Sequence, residues 1–418
     1  MANDKKKLGY ARLKYGEEEE IWEEESDASR KNKKKKTVPP RVQLLRRVGC
    51  ILLAAVLVVA LWMNRDSTFF HSLGDWFHTR LVGLDTGGGY PTAITGTQVL
   101  PTNIMSTDGM AVTLSDTALT IQNATAKTVV SRQHSFSEPR MCAAGGRWLV
   151  YNLGGTGYRV ESISKTVLTG STGGNIQAAA IAPSGRFALV TQTADNASRL
   201  TVYMVNGEVQ YTYSFYDAYI TAVALNGDGT RGVVATASTN GGALAGTLYL
   251  LDFSREDAVA QADAGDNLVL FLHWGDNGVV TAVGDTAALY GRAADFTFET
   301  LAYESAVLAA CSAEGSTVCL ALEGGETPEL VLLGGQAPVR AALPAPASSC
   351  SVFGGSAAAL ADGLALVVDT ATGELLAQAD VGRGVQAVAM SSESTAYVLG
   401  ISQIRFFDFE EQELHAAR

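Results

Sequence analysis

The sequence is poor in most of the residues that do chemistry. It has five His and five Cys in 418 residues. No H-E-x-x-H pair and no His/Cys group at zinc spacing occurs, so no metal site is expected. Five Cys are also too few for a disulfide-built scaffold. Charged residues make up only 18% of the chain, which excludes a mostly disordered polar protein. A net charge of −12 argues against nucleic acid as a partner. Uncharged hydrophobic runs long enough to matter are reduced to one, residues 48–63. What the chain has in quantity is Gly, at 43 residues against ten Pro, with many Ala, Val and Thr. That mixture points to strands joined by tight turns.

The charge is unevenly divided. Residues 1–47 hold 14 Lys+Arg against 9 Asp+Glu, and residues 48–418 hold 17 against 34. The apolar run lies between these two parts. As a helix its sixteen residues span about 24 Å, slightly less than a hydrocarbon core of about 30 Å. Leu44 and Leu45 lengthen it, and Arg46, Arg47 and Arg65 flank it, where long side chains reach the interface. The 47 preceding residues and the lack of a small-residue cleavage pattern favour an uncleaved signal anchor over a signal peptide. The span is expected over residues 44–65. The cations before it place the N-terminus in the cytoplasm and the rest outside the cell membrane.

Residues 1–43 read as a charged, disordered cytoplasmic tail. Its basic patch, Lys33, Lys34, Lys35 and Lys36, is suited to the anionic lipid surface, at about 1 kcal/mol per cation. Residues 66–96 read as an amphipathic juxtamembrane segment. Phe69, Phe70, Leu73, Trp76, Phe77 and Leu81 form one helical stripe. Gly87, Gly88 and Gly89 follow as a hinge.

From residue 97 to 418 the rhythm becomes that of strands. Arg186–Gln192 and Val209–Phe215 alternate as half-buried strands do. Turns recur at Asp108-Gly109, Gly145-Gly146, Ser184-Gly185, Asp228-Gly229, Asn277-Gly278, Glu314-Gly315, Gly354-Gly355 and Glu393-Ser394. The mean interval is about 41 residues, the period of four-stranded propeller blades. The fold class is therefore all-β: an eight-bladed β-propeller, with seven blades as the alternative. The seam is expected between complete blades or through Gln98–Leu100. Residues 412–418 are available as a last outer strand.

The string Asp369-Thr370-Ala371-Thr372-Gly373-Glu374-Leu375 resembles the turn of quinoprotein-like bacterial propellers. Gly87, Gly89, Tyr90, Pro91 and Gly96, together with the tail–anchor–propeller layout, resemble a bacterial family of membrane-anchored propellers of unknown function. That resemblance implies a fold and brings no activity with it.

Chemistry is sparse. Cys311 and Cys319 flank the turn at Gly315 and face each other as a candidate disulfide; separate buried thiols are the alternative. Asn226-Gly227-Asp228-Gly229-Thr230 is the best calcium-like loop, but with one carboxylate it reads as a turn. No nucleophile elbow is present. The blades lack the Trp that usually docks a quinone cofactor. No catalytic residue and no cofactor is assigned. The expected function is a non-catalytic binding or scaffolding module at the cell surface, with a protein partner on the propeller face. A hydrolase or oxidoreductase using carboxylates is the enzymatic alternative, and a transmembrane sensor signalling through the tail is the third.

Overall fold

The protein is described from a computed structural model. It describes residues 8–11, 20–23 and 86–410, save 313, 314, 326, 335 and 336. The chain divides into two units, residues 1–66 and 67–418. In the first, Leu8–Ala11 pairs antiparallel with Glu20–Glu23. The tail expected to be disordered thus carries one ribbon, an element that alone is marginal in water. The expected span at 44–65 lies outside the described residues. So do its flanks Arg46, Arg47 and Arg65, the patch Lys33–Lys36 and the amphipathic stripe. Among the described residues no helix is long and apolar enough to cross a membrane.

The second unit contains eight four-stranded antiparallel sheets. Seven run from an inner strand outward in chain order, and in the eighth the outermost strand comes from upstream in the chain. The blades span residues 99–133, 139–171, 175–215, 219–265, 269–302, 307–342, 347–380 and 385–408. Eight blades settle the count. All eight expected turns join an inner strand to a second strand. Gly185 shows why glycine recurs there: its φ is +86°, a region costly to other residues.

Period-two alternation builds the ring. In the second strand of blade 3, Phe187 and Leu189 face a cluster shared with blade 2. Ala188 and Val190 face one shared with blade 4. The same division gives eight apolar clusters, one between each neighbouring pair of blades. The second strands are almost wholly buried because both faces are covered, as in any sheet packed between two others.

Ring closure differs from expectation. The outer strand of blade 8 is Thr92–Ala93, paired with Gln403 and Ile404. It comes from upstream of the boundary read at residue 97, and residues 412–418 lie outside the described set. The Ile94 N–H donates to Ser402 O at 3.1 Å. Tyr90 packs against Tyr397 and Phe406, with ring centroids 5.5 and 6.0 Å away, and its hydroxyl donates to Asn123 O in blade 1. Gly87 and Gly89 are docked on the same blade, where their N–H groups donate to Thr125. A Cβ on Gly87 would collide with that backbone. Gly87, read as part of a hinge, is thus a point of close approach to blade 1.

Polar ties supplement the apolar ones. Glu161, 2% exposed, accepts from Arg159 Nη2 at 2.7 Å in its own blade and from Arg132 Nη1 at 3.1 Å in blade 1. Arg132 also donates to the carbonyls of Ser162 and Ile163. Removing the carboxylate would take the counter-charge from two guanidinium groups that are largely out of water and would keep only neutral acceptors. Glu161→Ala is expected to cost about 3–5 kcal/mol. Glu138→Ala, at a surface pair with Arg140, is expected to cost about 1 kcal/mol or less; urea unfolding of both variants checks the contrast. Tyr90→Ala removes a half-buried ring just before the closing strand and is expected to cost about 2 kcal/mol, read as a lower urea midpoint.

Candidate binding face and a three-thiol cluster

Each inner strand starts at one end of the ring. That end carries the loops between blades and the turns between second and third strands. In six blades the inner strand opens on a bulge, at Gln177, Thr221, Leu270, Leu308, Ser348 and Gln386. A bulge re-aims a side chain away from the regular pleat. In blades 5 and 6 the re-aimed residue is a leucine, 60% exposed at Leu270 and 41% at Leu308. Tyr219 opens the inner strand of blade 4 and Tyr216 lies in the loop before it; both are exposed. Three successive blades therefore present large apolar side chains to solvent at the same end.

Blade 4 adds a projection. Arg231–Asn240 and Ala243–Asp252 have ten residues each. The inner strand starts at Tyr219, opposite Ala237, so Ser238–Asn240 and their partners reach beyond it. Gly241 and Gly242, at φ +60° and +90°, supply the two positive angles of a tight hairpin turn.

The charge at this end is one-sided. From blade 3 to blade 6 its described loop residues include Asp195, Asp217, Asp266, Asp285, Glu304 and Glu323, and no Lys, Arg or His. The loops are held in place. Asn267, 3% exposed, accepts from the N–H groups of Thr286 and Ala287 and donates to Ala287 O. Leu268 N–H donates to Asp285. At the opposite end, Lys127, Lys165, Arg186 and Arg255 intersperse with carboxylates. The Asn226–Thr230 loop there is a turn as expected: Asn226 Oδ1 accepts from the N–H groups of Thr230 and Arg231.

The histidines of the ring serve structure. His134 Nε2 donates to Ser115 O at 3.1 Å, and its Nδ1 accepts from Phe136 N–H. His273 Nε2 lies 2.9 Å from Gly315 O in blade 6. Burial holds both below the usual 6.5.

Cys311 and Cys319 face each other across the first hairpin of blade 6, as their spacing implies. Both sulfurs are unbridged in this structure. A third sulfur joins them. Cys350, from the inner strand of blade 7, lies in the same apolar cluster, and the three Sγ atoms are all within 4.8 Å of one another. Cys350 can donate to Cys319 O at 3.6 Å. Burial pushes the Cys319 thiol well up. S–H donors from Cys311 and Cys319 favour ionisation at Cys350. Sequence reading missed this member because it pairs cysteines along one hairpin. The available signal was the interval from Cys311 to Cys350, close to one blade period, which places both on neighbouring inner strands.

Residues 92–296 match a family of unknown function, DUF5711. The match starts at the closing strand. No curated protein matches the chain. Among solved structures, the computationally designed Ika8 protein is similar at 15% identity and TM-score 0.59, over 76% of this chain and 98% of that one. The C-terminal WD40 domain of Sif2 is similar at 11% identity and TM-score 0.56, over 77% and 99%. BamB from Moraxella catarrhalis is similar at 10% identity and TM-score 0.50, over 77% and 100%. At such identities the likeness concerns the fold.

The low histidine pKa values have a consequence with a definite sign. A His whose folded pKa lies below its unfolded value stabilises the fold above the unfolded pKa. That contribution is lost as pH falls from about 6.5 towards the folded value. Melting temperatures of the full chain between pH 7.5 and 5.5 should therefore fall. The fall should be smaller in His273→Gln, which keeps a donor for Gly315 O but does not titrate.

Proposed function

We propose that the protein is a single-pass membrane protein whose propeller stands outside the cytoplasm and binds a protein partner without catalysing a reaction. The partner segment is apolar and basic. The observation that carries this reading is the coincidence, at one end of blades 4–6, of exposed Tyr216, Tyr219, Leu270 and Leu308 with loops that bear acids and no bases. Apolar side chains in a one-signed rim favour a cationic partner over an acidic one and raise its rate of encounter. Loops locked by Asn267 and Asp285 keep the surface formed before binding, which lowers the entropic cost of association.

The membrane part of the proposal rests on the sequence. Residues 48–63 are uncharged, cations precede them, and the net charge of −17 lies beyond them.

Photocrosslinkers at Leu270 and at Phe353, on the opposite end, test the docking face in membranes of the native host. Adducts at Leu270 with a partner whose contact peptide is rich in Lys or Arg, weakened by salt and by Leu270→Glu, are expected. Equal adducts at both positions, or a partner contact without cations, would overturn the assignment. Labelling of intact cells with an impermeant amine reagent tests the orientation: Lys127 and Lys165 should react, and Lys33–Lys36 should not.

A further inference from the structure

We propose that Cys311, Cys319 and Cys350 form a binding site for a soft, thiophilic monovalent cation, Cu(I), between blades 6 and 7. The sulfurs come from three strands of two blades, and all lie within 4.8 Å of one another. Around a metal at about 2.3 Å from each sulfur, three sulfurs stand about 4 Å apart. Closing the trio onto an ion therefore asks for less than about 1 Å of movement per pair, within the reach of a side-chain torsion.

The donor set selects the ion. It is sulfur only, and Ala321, Leu332, Ala359 and Val352 of the same cluster surround it. Oxygen-seeking cations have nothing to bind there. Zn(II) prefers four ligands in a closed site, and no His, Asp or Glu joins the three sulfurs among the described residues. Three soft donors satisfy Cu(I), which thiolates select. A monovalent ion also leaves the choice of how many thiols ionise to the site: each thiol that loses its proton as its Cu–S bond forms releases one proton to solvent, a sulfur already ionised releases none, and no electron is transferred. Access is from the Cys311 side, the one member of the trio that is not fully buried. Because the sulfurs belong to two blades, a bound ion would also tie blade 6 to blade 7.

The test uses the full chain, reduced and kept free of oxygen, with Cu(I) presented as its bicinchoninate complex. The chain is expected to withdraw one Cu(I) per molecule. Cys311→Ser and Cys350→Ser should each weaken this by at least about tenfold, since even outer-shell changes cost that much at metal sites. Cys142→Ser, in blade 2, should leave it unchanged. No withdrawal of Cu(I), equal withdrawal by Cys350→Ser, or tighter retention of Zn(II) than of Cu(I) against matched chelators would overturn the assignment. Should the serine variants fail to fold, alkylation decides on the wild-type chain: Cu(I) should slow iodoacetamide labelling of Cys311 but not of Cys142. Equal rates with and without Cu(I) would overturn the site.

Discussion

The ring depends on a pairing of two residues. Every blade has two apolar faces, and each face is covered only by a neighbour, so seven well-made interfaces still leave two faces bare unless the eighth closes. Here the eighth is made by the inner and second strands of blades 8 and 1, with Ile404 beside them, and is flanked by Thr92–Ala93 paired with Gln403 and Ile404. Those few backbone bonds are reinforced by rings. Tyr90 bridges the closing strand to Tyr397 and Phe406, and the Tyr397 hydroxyl reaches across to Gly109 O in blade 1 at 2.6 Å. Segments far apart in sequence thereby enter one blade.

Closure constrains what the rest of the ring can offer. Covered faces leave the two rims as the exposed variable parts, and loops on a rigid scaffold are where binding usually sits. The two rims differ in chemistry. One mixes cations and carboxylates; the other, across blades 3–6, has carboxylates alone and four large apolar residues. Asn267 and Asp285 spend their polar groups on holding the loops of blade 5, which leaves the apolar side chains and the other carboxylates as the free surface.

The repeat was legible in the sequence because each blade repeats one demand. A tight turn follows each inner strand and contains glycine in seven of the eight blades, so it recurs about every 41 residues and reveals the count. Strand alternation was equally open, since Phe187, Leu189 and their neighbours must serve two interfaces. The closing strand was hidden for the opposite reason. Two residues carry no period, and Thr92 and Ala93 look like the end of a glycine-rich linker. The Glu161 network was hidden because its partners, Arg132 and Arg159, lie in different blades and an isolated Glu in a strand looks solvated.

The cysteines show where linear reading stops. Cys311 and Cys319 can be paired from spacing alone, since a hairpin sets its own register. Cys350 meets them only because inner strands of successive blades lie side by side, a relation visible once the blade period is applied to side chains as well as to turns. The same reasoning separates a disulfide from a metal site. A hairpin pair of thiols has one natural product, a bond between them. A third sulfur from another blade makes a site whose geometry is set by the ring and not by one hairpin. The apolar packing between blades 6 and 7 that keeps water from the three sulfurs also holds them together before any ion arrives.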